Sequence, residues 1–453
     1  MPSASAVPGP RRLARPSLWR DAGFRSLWAG QTASQFGEQA TLVVLPLIAV
    51  LALNADAAQL GVLRAAGQAP VLLLALPAGA WVDRWRTRTV MMLADLGRAL
   101  ALSACALASL LAGLSLPALL AAAFAAGSLS VFFDVGYQAS LVRLVPRHQL
   151  VRGNSALEGS RSAAQLGGAA LAGLLVTLLP APVAAGSSAP FFALSFLSIR
   201  RIRREPVPAW PRCPRPVWRQ VHEGLRFVGG NPSLRAIGLA SAAFQFFFAA
   251  TMTIYLLFLA RGLHLAGTAV GLVLAAAGPG ALLGSLLAAR LPGRLGYGPV
   301  LVTAAALGDG VMLCVPALHG PAAVTIPALV AVSFVFAAFG QLVNVTVMAV
   351  RQAVTPEGMQ GRAAATITFA GLGLAPLGSL LGGLLGQEWG LRAGLLATAA
   401  GMLLSPALMA LSPLARLGKT LPAGPGTPPA AARPASSPGA PSGSEASGGT
   451  ALG

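Results

Sequence analysis

The sequence predicts an all-α integral membrane protein with twelve transmembrane helices in two pseudo-symmetric six-helix bundles. Hydrophobic residues fill 55% of 453 positions and charged residues only 10%, with a mean hydropathy of +0.71. A soluble surface needs far more charge. Apolar stretches of about 20 residues, the length that crosses a hydrocarbon core, recur along the chain. A constant shift of 210 residues then pairs Arg25 with Arg235, Gln35 with Gln245, Thr41 with Thr251, Gly61 with Gly271, Arg84 with Arg294 and Pro146 with Pro356. A match held through the first four helices of each half marks two structurally equivalent bundles, with a site at the midplane between them.

In chain order, helices are predicted over 24–50, 57–82, 89–112, 116–137, 156–179, 183–199, 234–259, 267–289, 299–318, 322–345, 363–387 and 391–411. Residues 1–23 form an N-terminal segment, 24–199 the first bundle, 200–233 a linker, 234–412 the second bundle and 413–453 a tail. The N-terminal segment lacks the small-residue cleavage site that follows the apolar core of a signal peptide, so nothing is expected to be removed. Within the linker, Val217, Val221, Leu225 and Val228 recur at helical spacing with Arg219, Glu223 and Arg226 between them. That pattern predicts a short helix on the membrane surface. The tail turns to Pro, Ala, Gly and Ser, cannot bury a core, and is expected to be disordered.

Charge sets the orientation. Arg11, Arg12, Arg15, Arg20 and Arg25 precede the first helix, Arg143, Arg147, Arg152 and Arg161 flank the fourth and fifth, and nine arginines from Arg200 to Arg235 join the halves. The opposite side receives only Arg64, Arg261 and Arg392. Under the positive-inside rule both termini are expected in the cytoplasm of a cell whose inner membrane holds the protein.

Between the second and third helices runs GAWVDRWRTRTVMMLADLGR, in which Gly79, Asp83, Arg84 and Arg88 are spaced as G-x-x-x-D-R-x-x-x-R. So basic a loop cannot reverse direction inside hydrocarbon and belongs at a membrane surface. The spacing closely resembles the signature loop of major facilitator superfamily transporters. FRSLWAGQTASQFGEQATLVVLPL, LVRLVPRHQLVRGNSALEGSRS and GLGLAPLGSLLGGLL look like that superfamily's macrolide-efflux and enterobactin-exporter branch. The resemblance covers nearly everything from Trp19 to Leu411. It implies that Asp83 meets the N-terminus of the eleventh helix near Ala363, where the helix dipole favours an anion. Departures are visible too: Arg86 and Thr87 replace the signature's later Gly and Arg, so Arg86 or Arg88 takes that arginine's role. The fourth helix lacks the buried Arg of many proton-coupled exporters. The antiporters' Gly-Pro pair is Gly167 and Gly168 in the fifth helix, while Ala375 and Pro376 keep the Pro in the eleventh.

Glu38 stands near the middle of the first helix, where an ionised carboxylate costs on the order of 2.5 to 3.5 kcal/mol on permissive insertion scales. It must face a polar cavity or carry a proton; a structural acid bonded to a neighbouring helix is the other reading. Gln31, Gln35 and Glu38 share one helix face by their spacing of four and three, and Gln245 answers Gln35 under the repeat. These four form the predicted substrate cavity, with Glu38 as the proton-coupling group. Gly79, Asp83, Arg84, Arg88 and Asp134 form the predicted cytoplasmic gate, with Asp134 about one turn from the cytoplasmic end of its helix. Asp95 and Arg98, three apart, are expected to neutralise each other structurally. Asp309 has no evident partner, and Gly378, Gly382 and Gly386 predict close helix packing.

Other classes fit less well. The +19 net charge falls in short clusters with no basic face for nucleic acid. Gly418, Lys419 and Thr420 resemble the end of a phosphate-binding loop, but Pro413 stands where its first Gly must be. His148, His222, His264 and His319 lie at separate loops, and Cys105, Cys213 and Cys314 lack disulfide or zinc spacing, so no hydrolase site, metal or cofactor is expected. The sequence therefore reads as a monomeric exporter among membrane lipids, not an enzyme, which moves a small amphipathic molecule outward in exchange for protons. A drug-like compound or a siderophore would fit. A proton symporter, a lysolipid mover of the same fold and a transport-inactive sensor or scaffold stay open as alternatives. A single Ala209→Cys change in a cysteine-free background tests the orientation by thiol labelling. Position 209 should label only after permeabilisation; labelling of intact cells overturns it.

Overall fold

The computed structural model describes residues 18–145, 149–202, 217–356 and 360–419. Twelve long helices appear among them: α1 (Ala22–Leu51), α2 (Ala57–Arg84), α3 (Thr87–Ala112), α4 (Leu116–Leu144), α5 (Leu150–Leu178), α6 (Ala181–Arg200), α7 (Pro232–Gly262), α8 (Gly267–Ala288), α9 (Tyr297–Ala317), α10 (Ala322–Val354), α11 (Gln360–Glu388) and α12 (Gly390–Ala410). Eleven contain an apolar window sufficient to cross a membrane. The twelfth is α5, a helix of 29 residues and so about 44 Å long, whose hydropathy is lowered by Asn154, Glu158, Arg161 and Gln165.

The two halves repeat in detail. Shifting Leu150–Leu178 by 210 gives Gln360–Glu388, the bounds of α11, so the repeat extends beyond the first four helices of each half. Even the helix starts correspond. Asp21 caps α1 by accepting from the backbone N–H groups of Gly23 at 2.7 Å and Phe24 at 3.0 Å. Asn231, its counterpart, caps α7 by accepting from Ser233 at 3.0 Å and Leu234 at 3.2 Å. A side-chain acceptor there satisfies N–H groups that the helix itself leaves unpaired.

The halves meet closely at one end, where α1 finishes and α2 begins. A Cβ on Gly61 of α2 would lie 2.8 Å from the Ser379 carbonyl oxygen and 2.9 Å from Gly383 Cα of α11. Likewise, a Cβ on Gly173 of α5 would lie 2.6 Å from Gly271 Cα of α8. Side chains at either seam would force the backbones apart. Gln68 adds a cross-half hydrogen bond, accepting from Ser379 Oγ at 3.1 Å. The buried clusters follow the same division. One joins Val44 and Leu45 to Leu257 and Ala260, and another joins Leu47 to Ile254 and Phe258. At the end that carries the chain termini, the cluster around Phe24, Met91 and Ile199 and the cluster around Leu234, Leu301 and Val350 each draw on one half.

The linker helix, Val217–Gly230, packs against α7 and α11. Its Val228 is buried with Leu234, Ile237 and Ile367, while Leu225 is exposed. Residues 203–216 lie outside the described residues. The tail expected to be disordered from residue 413 is ordered at its start: Pro413–Arg416 form a 3-10 turn with Leu414 buried. The N–H groups of Tyr297 and Gly298 donate to the carbonyls of Gly418 and Leu417 at 3.0 and 2.9 Å. These residues are ordered because they satisfy the open N-terminus of α9 and bury a leucine. Residues from 420 onward lie outside the described residues.

Candidate functional site

A fully buried ion pair forms the interior of the N-terminal half. Asp95 and Arg98 are bonded to each other on α3, with both side chains sealed from solvent. Ser34 of α1 accepts from Arg98 Nη2 at 2.8 Å and donates to Asp95 Oδ1 at 3.3 Å. Ser195 of α6 donates to Asp95 Oδ2, and Ser130 of α4 accepts from Arg98 Nη1 at 3.1 Å. The guanidinium also lies 4.6 Å from the ring centroid of Phe133 and 4.4 Å from that of Phe192. Four helices are thereby tied to one charge pair, as its structural reading requires.

A second group of charges sits beside it. Asp134 of α4 lies within electrostatic range of Glu38 on α1, Arg98 on α3 and Arg161 on α5. Arg161 in turn senses Glu158, Asp134 and Glu38. Glu38 and Asp134 are half-buried, whereas Glu158 and Arg161 are exposed on the face of α5, so this group, unlike the Asp95–Arg98 pair, is reached by solvent. Sequence reasoning assigned Arg161 to topology because the linear chain does not show that α5 packs on α1.

Asp134 needs a correction. Its helix was expected to end at Tyr137, but α4 continues to Leu144, which places Asp134 about 15 Å from that end. Gln138, Ser140 and Arg143 stay helical because a membrane helix can run on beyond its apolar stretch into the interface, where the exposed Gln138 side chain can reach water. Arg88 donates to the Arg200 carbonyl at 2.6 Å, at the C-terminal end of α6. The side chains of Gly79, Asp83 and Arg84 lie outside the described residues, as do those of Arg143 and Arg152. Gln31 and Gln35 are 1% and 4% exposed, closed in by packing. Gln31 Oε1 has no hydrogen-bond partner.

Gln245 lines a different space, a cavity of about 440 Å³ inside the C-terminal half. Helices α7, α9, α10, α11 and α12 wall it, with Ser241, Gln245, Asp309, Asn344, Arg351 and Thr368 among the polar groups. Glu38, Gln31 and Gln35 are not part of its lining. The predicted four-residue cavity is thus divided between the halves in this structure. Asp309 is 5% exposed, and its Oδ2 has no hydrogen-bond partner. The glycine stripe of α11 packs as expected: a Cβ on Gly378 or Gly382 would strike the backbone carbonyl of Phe246 or Ala250 on α7.

The family described as Transmembrane secretion effector matches residues 16–424. The chain belongs to this family of major facilitator superfamily transporters. It is 28% identical over 388 residues to the Multidrug efflux pump Tap of Mycolicibacterium fortuitum, covering 83% of this chain and 92% of that protein. It is 27% identical over 388 residues to the pump of the same name from Mycobacterium tuberculosis, covering 80% of this chain and 87% of that one. Among solved structures, a bacterial homologue of the lysosomal transporter Spinster, inward-facing and unoccupied, superposes with a TM-score of 0.67 at 14% identity, covering 89% of this chain and 98% of that one. The nucleoside transporter NupG, as its D323A mutant, gives 0.70 at 13% identity, covering 86% and 99%. This secretion effector is therefore a multi-pass membrane transporter and not an enzyme.

Within this transporter the Asp95–Arg98 pair should behave as an anchor. Arg98→Met leaves a buried carboxylate uncompensated and should cost about 3–5 kcal/mol, read as a lower melting temperature in detergent. Joint replacement, Asp95→Leu with Arg98→Met, should recover most of that loss. A double variant no more stable than Arg98→Met alone would count against the pair as the source of the effect.

Proposed function

We propose that this secretion effector exports small amphipathic molecules by alternating access, exchanging them for protons at Glu38. The carrying observation is the solvent-reached group of Glu38, Asp134 and Arg161, contributed by three helices of one half. With Glu158, which also acts on Arg161, three carboxylates face one guanidinium in this group. Proton uptake reduces that excess of negative charge, and interiors disfavour unbalanced charge. The relatives named as multidrug efflux pumps support outward movement of drug-like cargo.

The seam supports the orientation of the cycle. With both termini in the cytoplasm, the closed end bearing Gly61, Gly383, Gly173 and Gly271 faces outward, and the space between the halves opens inward. Cargo then enters from the cytoplasm while the acids lose a proton to it. Rocking of the halves opens the outer end, where the acids regain a proton and cargo leaves. Asp83, Arg84 and Arg88 form the gate that closes the cytoplasmic end when the outer end opens. The dipole at the start of α11 is the anion-favouring partner for Asp83.

Proteoliposomes loaded with ethidium as the probe test the coupling. Wild-type protein should concentrate ethidium against its gradient when a pH difference is imposed. Glu38→Gln, which keeps the shape but cannot titrate, should only let ethidium equilibrate. If the variant still concentrates ethidium, Glu38 is not the coupling group.

A further inference from the structure

The two halves differ at one place that their symmetry makes conspicuous. In the N-terminal half, Ser34, Asp95, Arg98, Ser130, Phe133 and Ser195 enclose a built-in cation. Shifted by 210, these positions are Phe244, Ala305, Gly308, Gly340, Val343 and Ser405. All six line the cavity of about 440 Å³ in the C-terminal half. Space filled by a guanidinium in one half is cavity in the other, because glycine stands where the arginine would be.

An acid stands one turn away, however. Asp309 lies four residues beyond Ala305, one turn along the same face of α9. It lines the cavity, is 5% exposed and has an oxygen with no hydrogen-bond partner. Among the described residues, no cation lies close enough to act on it. Arg351, the other charged group of the lining, stands three residues before the end of α10, whereas Asp309 is twelve residues into α9. Their depths from the same end of the bundle differ by about 13 Å. Phe244 supplies an aromatic wall, as Phe133 and Phe192 do around Arg98, and ring faces attract cations. We propose that this cavity is a binding site for an organic monocation whose guanidinium or ammonium group docks against Asp309. Its volume falls within the range of about 300–1,000 Å³ common for small-molecule pockets. The site does not depend on the export reading, since binding is measured at equilibrium without a gradient.

Binding of radioiodinated 3-iodobenzylguanidine to the purified full-length protein in detergent is the direct test, with neutral 3-iodobenzylurea as the matched competitor. Unlabelled guanidine should displace the probe and the urea should not. Asp309→Asn should weaken binding by at least about tenfold, the scale of losing one partner of a buried charge pair. Glu388→Gln, an exposed acid at the other end of the bundle, should leave it unchanged. A Cβ on Gly340 would meet no atom within 4 Å, so Gly340→Leu should fill the cavity and abolish binding while the melting temperature is kept. Equal displacement by the urea, unchanged affinity in Asp309→Asn, or unchanged affinity in a folded Gly340→Leu would each overturn the proposal. So would a wild-type protein that binds no guanidine, because Asp309 would then carry a proton at most.

Discussion

Backbone-to-backbone contact between the halves at one end is the constraint on which the rest depends. In a membrane the hydrophobic effect does not drive helices together, since lipid is as apolar as leucine. Association rests on close approach, and the glycines at 61, 383, 173 and 271 permit it. Such contacts are individually weak and geometrically exacting. They suit a seam that parts under the proposed alternating access, because moving a two-state balance from 1:99 to 99:1 takes only about 5.5 kcal/mol. The packing inside each half is of another kind, with clusters at the terminal end that stay within one bundle. Under the proposed rocking, each half would move as one body against the other.

Charge within the bundles divides by accessibility. Asp95 and Arg98 are closed off, paired, bonded to three serines and flanked by two rings. Held in this way, both side chains are sealed from solvent. Glu38 and Asp134 are half-buried and Arg161 is exposed, and the proposed proton exchange draws on that access. The C-terminal half lacks an internal cation at the position equivalent to Arg98, and its buried acid faces a cavity instead. Duplication therefore produced two interiors of one shape and different chemistry: one a permanent lock, the other a space open to a ligand.

Much of this was legible in the residues. Length and apolarity located the twelve helices, and the 210-residue repeat marked two equivalent bundles; the matched bounds of α5 and α11 and the paired caps Asp21 and Asn231 emerge only in the structure. The mutual neutralisation of Asp95 and Arg98 followed from their spacing of three. What stayed hidden depends on which helix faces which. Nothing in the linear chain tells that Arg161 turns toward Glu38, that Gln31 and Gln35 turn inward to be sealed, or that Gln245 faces a separate cavity. Hydropathy marked the end of the apolar run in α4 rather than the end of the helix, which misplaced Asp134 by about two turns. Asp309 had no partner in sequence because its surroundings are assembled from five helices.

Distance measurements between spin labels in lipid nanodiscs test the account most directly. One pair, at Gln59 and Gln387, reports on the seam end; the other, at Trp85 and Arg294, on the terminal end, and all four positions are exposed. In the state described here the first pair flanks the closely packed seam. Acidification should populate the alternate state, lengthening Gln59–Gln387 as Trp85–Arg294 shortens. Distances that change independently, or lengthen together, would contradict two halves rocking about a central site.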